Sequence, residues 1–207
     1  MLEQECFQIT DPRRIRELIA DNPWATLVSA TAEGLQISHL PIVLADGPRP
    51  AVIGHLPRTD GAVHGLGEHE VALIIQGPHG YLSPSWYQET PHVPTWNFVV
   101  AHLYGRPQLL DGPATFQVLS DTVDHLEARL PSPWKLEHVA SYADRIAAAT
   151  VGFRLEPRRI VAKAKLSQDE SADLVSRSVK MLRAEHPYQQ PDLAEAMQRS
   201  LDERRCS

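Results

Sequence analysis

Residues 77–97, GPHGYLSPSWYQETPHVPTWN, combine large aromatic rings with hydroxyl and amide groups. Prolines fix the backbone φ at several positions of this stretch and remove the N–H groups that a strand would use. Trp86 and Trp96 have flat apolar rings with a polar N–H, and Asn97 adds an amide that both donates and accepts hydrogen bonds. These residue types are typical of a pocket wall for a planar ligand. A proline-stiffened corner with core tryptophans explains them equally well, so both interpretations stay open here.

Arg58 and Thr59 form a second candidate site. They lie in a predicted loop, residues 57–61, between a strand-like run at 51–56 and a short predicted helix at 62–66. A guanidinium, a hydroxyl and the N–H groups at a helix start together bind phosphate or carboxylate. We therefore predict an anion-binding corner, with a solvated surface arginine as the alternative.

The chain contains ten histidines, and neutral imidazole is a common ligand of haem iron. His64 belongs to the predicted helix after the anion corner, so a ring anchored by its carboxylate at Arg58 would lie within reach. His39, His55 and His92 compete for this role. Lys165 is the candidate proton carrier, because a lysine withdrawn from water can release its proton near neutral pH; a solvated or carboxylate-paired lysine is the alternative.

The elements that position these groups follow from apolar periodicity and turn residues. The pattern indicates a mainly β, α+β chain that opens with a helix and a hairpin. Helices are predicted at 12–22, 113–130, 137–148, 173–184 and 192–204, and strands at 24–30, 35–42, 51–56, 71–76, 98–110, 149–156 and 158–163.

Five short motifs stand in a fixed order along residues 22–170: HLP at 39–41, GHLPRTDGAV at 54–63, GPHGYLSPSWY at 77–87, VPTWNF at 93–98 and KLSQDE at 165–170. This series resembles the family named for the sporulation regulator PaiB, the FMN-binding negative transcriptional regulators. The resemblance implies a split β-barrel of the FMN-binding type with flanking helices, dimeric, with the cofactor at the subunit interface. It also implies cofactor contacts from Arg58, Thr59, Ser167 and Gln168, with His55 as a further candidate.

Two departures from that family alter the expected cofactor. The chain has TDGAV where the family has ANPxW, and Asp169 and Glu170 where it has an asparagine and an arginine. Added carboxylates repel a phosphate, which carries nearly two negative charges. His64 lies one residue past the lost tryptophan.

In these respects the chain is similar to an offshoot of the family, the haem-dependent piperazate synthases. These enzymes close N5-hydroxy-ornithine into piperazic acid by forming an N–N bond. The resemblance implies an enzyme with haem b, an amino-acid substrate, His64 on the iron and Lys165 as proton carrier. The alternatives are an FMN-binding module with a regulatory or redox role, and a cofactor-free member of the fold.

Composition sets the remaining expectations. A chain of 207 residues with 43% hydrophobic content can bury one sizeable core, and we expect a cofactor-binding domain at 1–170 with a helical extension at 171–207. The net charge of −6 argues against nucleic-acid binding. No apolar run approaches the roughly 18 residues of a membrane-spanning helix. Cys6 and Cys206 lie at opposite ends of the chain and are expected to be free thiols, which favours the cytoplasm.

Overall fold

The computed structural model describes residues 4–205. The helices are α1 (Pro12–Asp21), α2 (Arg58–Val63), α3 (Gly112–Glu127), α4 (Ala140–Ala148), α5 (Ala172–Arg183) and α6 (Pro191–Arg205), with short 3-10 helices at Glu5–Phe7, Pro84–Trp86 and Leu136–Val139. The strands are β1 (Trp24–Thr31), β2 (Gly34–Leu44), β3 (Val52–Pro57), β4 (Val71–Leu82), β5 (Thr95–Gly105), β6 (Gln108–Leu109), β7 (Thr150–Leu155) and β8 (Arg159–Lys165).

All eight strands belong to one sheet in the order β6–β7–β3–β2–β1–β4–β5–β8. The pairs β1–β2, β1–β4, β2–β3, β3–β7 and β6–β7 are antiparallel. This arrangement confirms the predicted mainly β, α+β class. The chain divides into two compact units: a hairpin unit, Asp11–Ile75 and Ala101–Ile160, and a C-terminal unit, residues 4–10, 76–100 and 161–205.

The two faces of the β1–β2 hairpin differ in burial. Ala25, Leu27 and Ser29 alternate on a buried face of β1, whereas Trp24 on the other face is exposed. The connecting turn contains Gly34 at φ +111°, a backbone conformation that glycine adopts without strain. Ser29 is thus a polar residue in a series of buried apolar ones.

Helices α1 and α3 cover sheet strands within the hairpin unit. Helix α1 begins after Asp11, whose carboxylate accepts the Arg13 N–H at 2.9 Å, and buries its apolar face. Helix α3 packs against β2, β3 and β7. Phe153 of β7 is fully buried opposite Gly54, where a Cβ would lie 2.8 Å from the ring. Close packing of this kind fixes the strand that precedes α2.

In the C-terminal unit, α5 and α6 pack against each other along apolar faces. Their fully or almost fully buried side chains are Leu174, Val175, Val179, Leu182, Leu193, Ala194, Met197 and Leu201. Near the end of α6, Arg204 donates from Nη1 to the carbonyl oxygens of Gln168 at 3.0 Å and Glu170 at 3.3 Å. The helical extension is therefore fastened to the turn that follows β8. The predicted domain boundary at residue 170 stays a prediction.

Among the predicted boundaries that differ from the structure, two concern the candidate site. Helix α2 begins at Arg58 rather than at residue 62, because the Arg58 N–H, which a helix start leaves unpaired, donates to Ala149 O at 2.9 Å. His64 consequently follows the helix instead of lying inside it. The aromatic loop is also shorter than predicted: β4 continues to Leu82 and β5 begins at Thr95, so residues 83–94 alone connect them.

Within residues 4–205, none of the helices has the length and apolar character needed to span a membrane. Cys6 is an exposed free thiol, and Cys206 lies outside the described residues.

Candidate cofactor site

His64 directly follows α2 and is almost completely buried, with 1% of its surface exposed. Its Nδ1 lies 2.8 Å from Oγ of Ser29 on β1, and its Nε2 lies 2.9 Å from Oγ of Ser38 on β2. Ser29 is as buried as His64, whereas Ser38 is half-buried. Both ring nitrogens of the predicted iron ligand therefore have a hydroxyl partner, and only the Ser38 side borders a partly accessible residue.

The surroundings of His64 favour its neutral form. Burial lowers the pKa of His64, Asp60 opposes that shift and His69 adds to it. A neutral imidazole has one N–H and one lone pair. One of the two serine hydroxyls must therefore accept a hydrogen bond from the ring, while the other donates to the lone pair of the second nitrogen.

The competing histidines have different environments. His55 lies on β3, its Nδ1 is buried without a hydrogen-bond partner among the described residues, and burial lowers its pKa. His39 stacks on Trp24 with ring centroids 6.4 Å apart. His92 meets Tyr87 edge to face at 5.0 Å. No group of three or more His, Cys, Asp or Glu side chains that could hold a metal ion occurs among residues 4–205.

The Arg58 guanidinium donates two hydrogen bonds to backbone carbonyl oxygens of the hairpin unit. Its Nη2 donates to Thr150 O at 2.8 Å and its Nε donates to Ala148 O at 3.3 Å. Nη1 has no hydrogen-bond partner in the described part of the chain, and Thr59 beside it is exposed. The predicted anion corner thus offers one guanidinium nitrogen and one hydroxyl.

In the C-terminal unit, Lys165 is the last residue of β8 and meets the start of β5. Its Nζ donates to the hydroxyl of Thr95 and, at 3.3 Å, to the carbonyl oxygen of Trp96. The indole of Trp96 is 51% exposed and stacks on His79 with ring centroids 6.1 Å apart. The structure therefore brings the predicted proton carrier next to one predicted ring contact.

Ser167 and Gln168 form the turn after Lys165 and use their side chains on the protein itself. The Gln168 amide accepts from Leu166 N at 2.7 Å and donates to Ala164 O at 2.6 Å. Ser167 has φ +62°, and its Oγ accepts from Asn97 Nδ2 at 2.9 Å. All three predicted contacts, including the fully buried Asn97, hold this turn in place.

A pocket of about 420 Å³ lies within the C-terminal unit beside the exposed face of Trp96. Its lining is Gln76, His79, Trp96, Phe98, Val99 and Val100. Trp86 is not part of this lining. It belongs to the 3-10 helix of the connecting loop and meets His186 edge to face at 5.3 Å.

The family model with the description "Putative FMN-binding domain" matches residues 1–159. The chain belongs to this family. It is similar to the "Protease synthase and sporulation protein PAI 2" of Bacillus subtilis (strain 168), at 26% identity over 204 residues that cover 94% of this chain and 95% of that protein. It is also similar to the uncharacterized protein YKL070W of Saccharomyces cerevisiae, at 31% identity over 121 residues that cover 54% of this chain and 70% of that protein. The predicted PaiB-like membership is confirmed; the piperazate synthase offshoot stays a prediction.

Solved structures of the same fold as this FMN-binding-domain family member include three bacterial proteins. The FAD and heme binding protein from Mycobacterium smegmatis has a TM-score of 0.57 at 14% identity, covering 82% of this chain and 78% of that one. The flavocytochrome Anf3 from Azotobacter vinelandii has a TM-score of 0.56 at 17% identity, covering 80% and 73%. Rv2991 from Mycobacterium tuberculosis has a TM-score of 0.57 at 13% identity, covering 79% and 91%. The predicted split β-barrel is thereby confirmed.

Sequence reasoning missed Ser29, Ser38 and Thr95 in this family member. Ser29 and Ser38 hold both nitrogens of His64, and Thr95 holds Lys165. A signal for Ser29 was present, because it interrupts the buried series Ala25, Leu27 with a hydroxyl that requires a hydrogen-bonding partner.

Proposed function

We propose that this protein is a haem-dependent enzyme that cyclises N5-hydroxy-ornithine to piperazic acid by forming an intramolecular N–N bond. The observation that carries the proposal is His64, an imidazole kept neutral by burial with only hydroxyl groups on its nitrogens. Two proteins of the same fold are described as haem-binding or as a flavocytochrome, which supports a fold able to accommodate haem. The departures from the PaiB-like motifs around residues 59–63 and 169–170 support the offshoot.

The residues present fit haem when the Ser38 side chain turns away and the ring hydrogen of His64 lies on Nδ1. His64 would bind the iron through Nε2 once the half-buried Ser38 side chain turns away. Arg58 Nη1 and the Thr59 hydroxyl would hold a propionate, which carries a single negative charge. When bound, haem supplies an iron that polarises the hydroxylamine and assists the departure of its oxygen.

The chemistry assigned to the chain's own residues balances without an external oxidant or reductant. The N–N bond forms as the N–O bond breaks, and the hydroxyl leaves as water. We assign the proton for that water to Lys165 Nζ, which the Thr95 hydroxyl and the Trp96 carbonyl oxygen orient. The proton that the substrate α-amine loses on attack restores the charge on Lys165. Holding both nitrogens of one substrate in an attack geometry lowers the barrier by several kcal/mol.

The second candidate is an FMN-binding module with a regulatory or redox role, which the family model itself favours. It would use Arg58, Thr59, Ser167 and Gln168 for the phosphate and ring. The structure gives Arg58, Ser167 and Gln168 other partners, and Asp169 and Glu170 add negative charge after the turn. FMN therefore requires more rearrangement than haem.

We further propose that the protein acts as a cytoplasmic homodimer and does not bind nucleic acid. One face of β1 and β2 exposes Trp24 (62%), Leu35 (70%) and Ile37 (60%). Exposed apolar side chains that share one face of a hairpin mark an interaction surface. The residues of this face in β1 and β2 include no Asp, Glu, Lys or Arg, and a two-fold axis would place the face against an identical face of a second copy.

Absorption spectroscopy tests the cofactor. The protein expressed with a haem supply should show a Soret band, and it should convert N5-hydroxy-ornithine to a product lighter by one water. His64→Ala should lose the native spectrum and regain it with added imidazole. Lys165→Met should keep the spectrum and lose turnover. A flavin spectrum in the purified protein, or full activity of Lys165→Met, would contradict the respective assignment.

A further inference from the structure

The Ser29–His64–Ser38 chain has a direction that hydrogen-bond satisfaction determines. Ser29 is 1% exposed, and its hydroxyl has no hydrogen-bond partner among the described residues other than His64 Nδ1. If Ser29 accepted a hydrogen bond from Nδ1–H, its own O–H would be buried without an acceptor, at a cost of about 1–3 kcal/mol. Ser29 therefore donates to Nδ1.

The direction of the hydrogen bond between His64 and Ser38 follows from that between Ser29 and His64. With Nδ1 as acceptor, the neutral ring carries its hydrogen on Nε2 and donates it to Ser38 Oγ, 2.9 Å away. Ser38 is half-buried, so its O–H reaches water. Every polar hydrogen of the three side chains, Ser29, His64 and Ser38, then has an acceptor.

We infer that Ser29 and Ser38 are positioning residues with opposite effects on iron ligation by His64. Ser38 accepts a hydrogen bond only from the unliganded ring, with hydrogen on Nε2, and so competes with iron. Ser29 bonds to Nδ1 in both forms of the ring, so only Ser29 supports the liganded form, although its own O–H then has no acceptor in the described part of the chain. Ligation through Nε2 requires a lone pair there, which moves the hydrogen to Nδ1. Ser29 then turns from donor to acceptor, which a hydroxyl can do and a methyl group cannot. The roles of Ser29 and Ser38 in iron ligation rest on the function proposed above, whereas the direction of the hydrogen bonds in the unliganded protein does not depend on it.

A ligating histidine depends on the acceptor of its second N–H. Loss of such a partner commonly lowers metal affinity by roughly 10–100-fold. Ser29→Ala should therefore weaken hemin binding by a factor in this range, and Ser29→Thr, which keeps the hydroxyl, should restore it. Ser38→Ala removes the group that competes with iron for Nε2, so it should bind hemin at least as tightly as the unaltered protein.

The first experiment reads the tautomer without any cofactor. The full chain with 15N-labelled histidine is examined near pH 8, above the ordinary histidine pKa of about 6.5, by two-bond 1H–15N correlations. His64→Gln assigns the His64 signals. The inference expects hydrogen on Nε2 in the unaltered protein and in Ser29→Ala. Hydrogen on Nδ1 in the unaltered protein would overturn it.

The second experiment titrates hemin into the four proteins and follows the Soret band. The opposite roles are supported if Ser29→Ala binds hemin more weakly than Ser29→Thr and if Ser38→Ala binds hemin at least as tightly as the unaltered protein. Equal affinities of Ser29→Ala and the unaltered protein overturn the role of Ser29. If hemin does not bind at all, the haem function and the ligation roles are both refuted, and the polarity is still decided by the tautomer. Circular dichroism of each variant confirms that it folds.

Discussion

Gly61 in helix α2 faces Val151 of β7, and Gly61→Ala tests whether this contact fixes α2. A Cβ on Gly61 would lie 2.7 Å from Val151 Cγ1, about 0.7 Å short of the 3.4 Å at which ordinary contact begins. Val151 is 6% exposed and β-branched, so it has little freedom to move away. Overpacking of this kind costs about 1–3 kcal/mol.

Helix propensity acts in the opposite direction. Alanine is favoured over glycine in a helix by about 1 kcal/mol, so the net cost of Gly61→Ala should be about 0–2 kcal/mol. A double-mutant cycle separates the two effects. In a Val151→Ala background the clash disappears, and Gly61→Ala should then stabilise the protein by up to about 1 kcal/mol.

Urea unfolding of the four proteins gives the coupling energy. We expect the effect of Gly61→Ala to differ between the two backgrounds by about 1–3 kcal/mol. Strictly additive effects would refute the claim that α2 rests against Val151. The position of α2 bears on the proposed function, because His64 follows the helix directly.

Three further measurements test other parts of the structure. Burial lowers the pKa of His55, so below pH of about 6.5 the unfolded chain binds more protons than the folded one. The free energy of unfolding therefore falls with pH, by at most about 1.4 kcal/mol per pH unit. Urea titrations from pH 8 to 5 should show a shallower fall in the free energy of unfolding for His55→Gln. Ile37→Lys places a charge on the exposed face of β2 and should give a monomer in light scattering, whereas Glu33→Lys in the adjacent turn should not. The Asn97→Leu, Ser167→Ala double variant removes both ends of a buried hydrogen bond together with the unpartnered Asn97 Oδ1, and should unfold at no lower urea concentration than the unaltered protein.

Each of these has a clear contradicting result. An unchanged pH dependence in His55→Gln would mean that His55 titrates alike in both states. A dimer that survives Ile37→Lys would place the interface elsewhere, and a monomeric unaltered protein would refute the dimer. A strongly destabilised Asn97→Leu, Ser167→Ala variant would show that the amide contributes more than its one good hydrogen bond.

Much of the fold was predictable because apolar periodicity and turn residues act locally. The hairpin of β1 and β2 and the last two helices lie within a residue or two of their predicted positions. The start of α2 was not predictable in this way. Its first N–H is satisfied by Ala149, far along the chain, and no local pattern around Arg58 contains that information.

The candidate site was less predictable for the same reason. Motif similarity predicts cofactor contacts for Ser167, Gln168 and Asn97, and these contacts stay predictions. The motifs do not show that the same side chains hold the turn after β8, because the Asn97–Ser167 contact joins residues 70 positions apart. By contrast, the alternation of β1 contains a local signal for Ser29, whose hydroxyl interrupts a buried apolar series, although sequence reasoning missed it.

Membership in the FMN-binding-domain family determines the fold, whereas the cofactor depends on a few side chains at its edge. The family match ends at residue 159, before the turn at Ser167 and Gln168. Two nitrogens of Arg58 donate hydrogen bonds to the carbonyl oxygens of Ala148 and Thr150. One remaining guanidinium nitrogen and the Thr59 hydroxyl match the single charge of a carboxylate better than the nearly double charge of a phosphate. A buried histidine with a lowered pKa a few residues further on agrees with the haem that we propose.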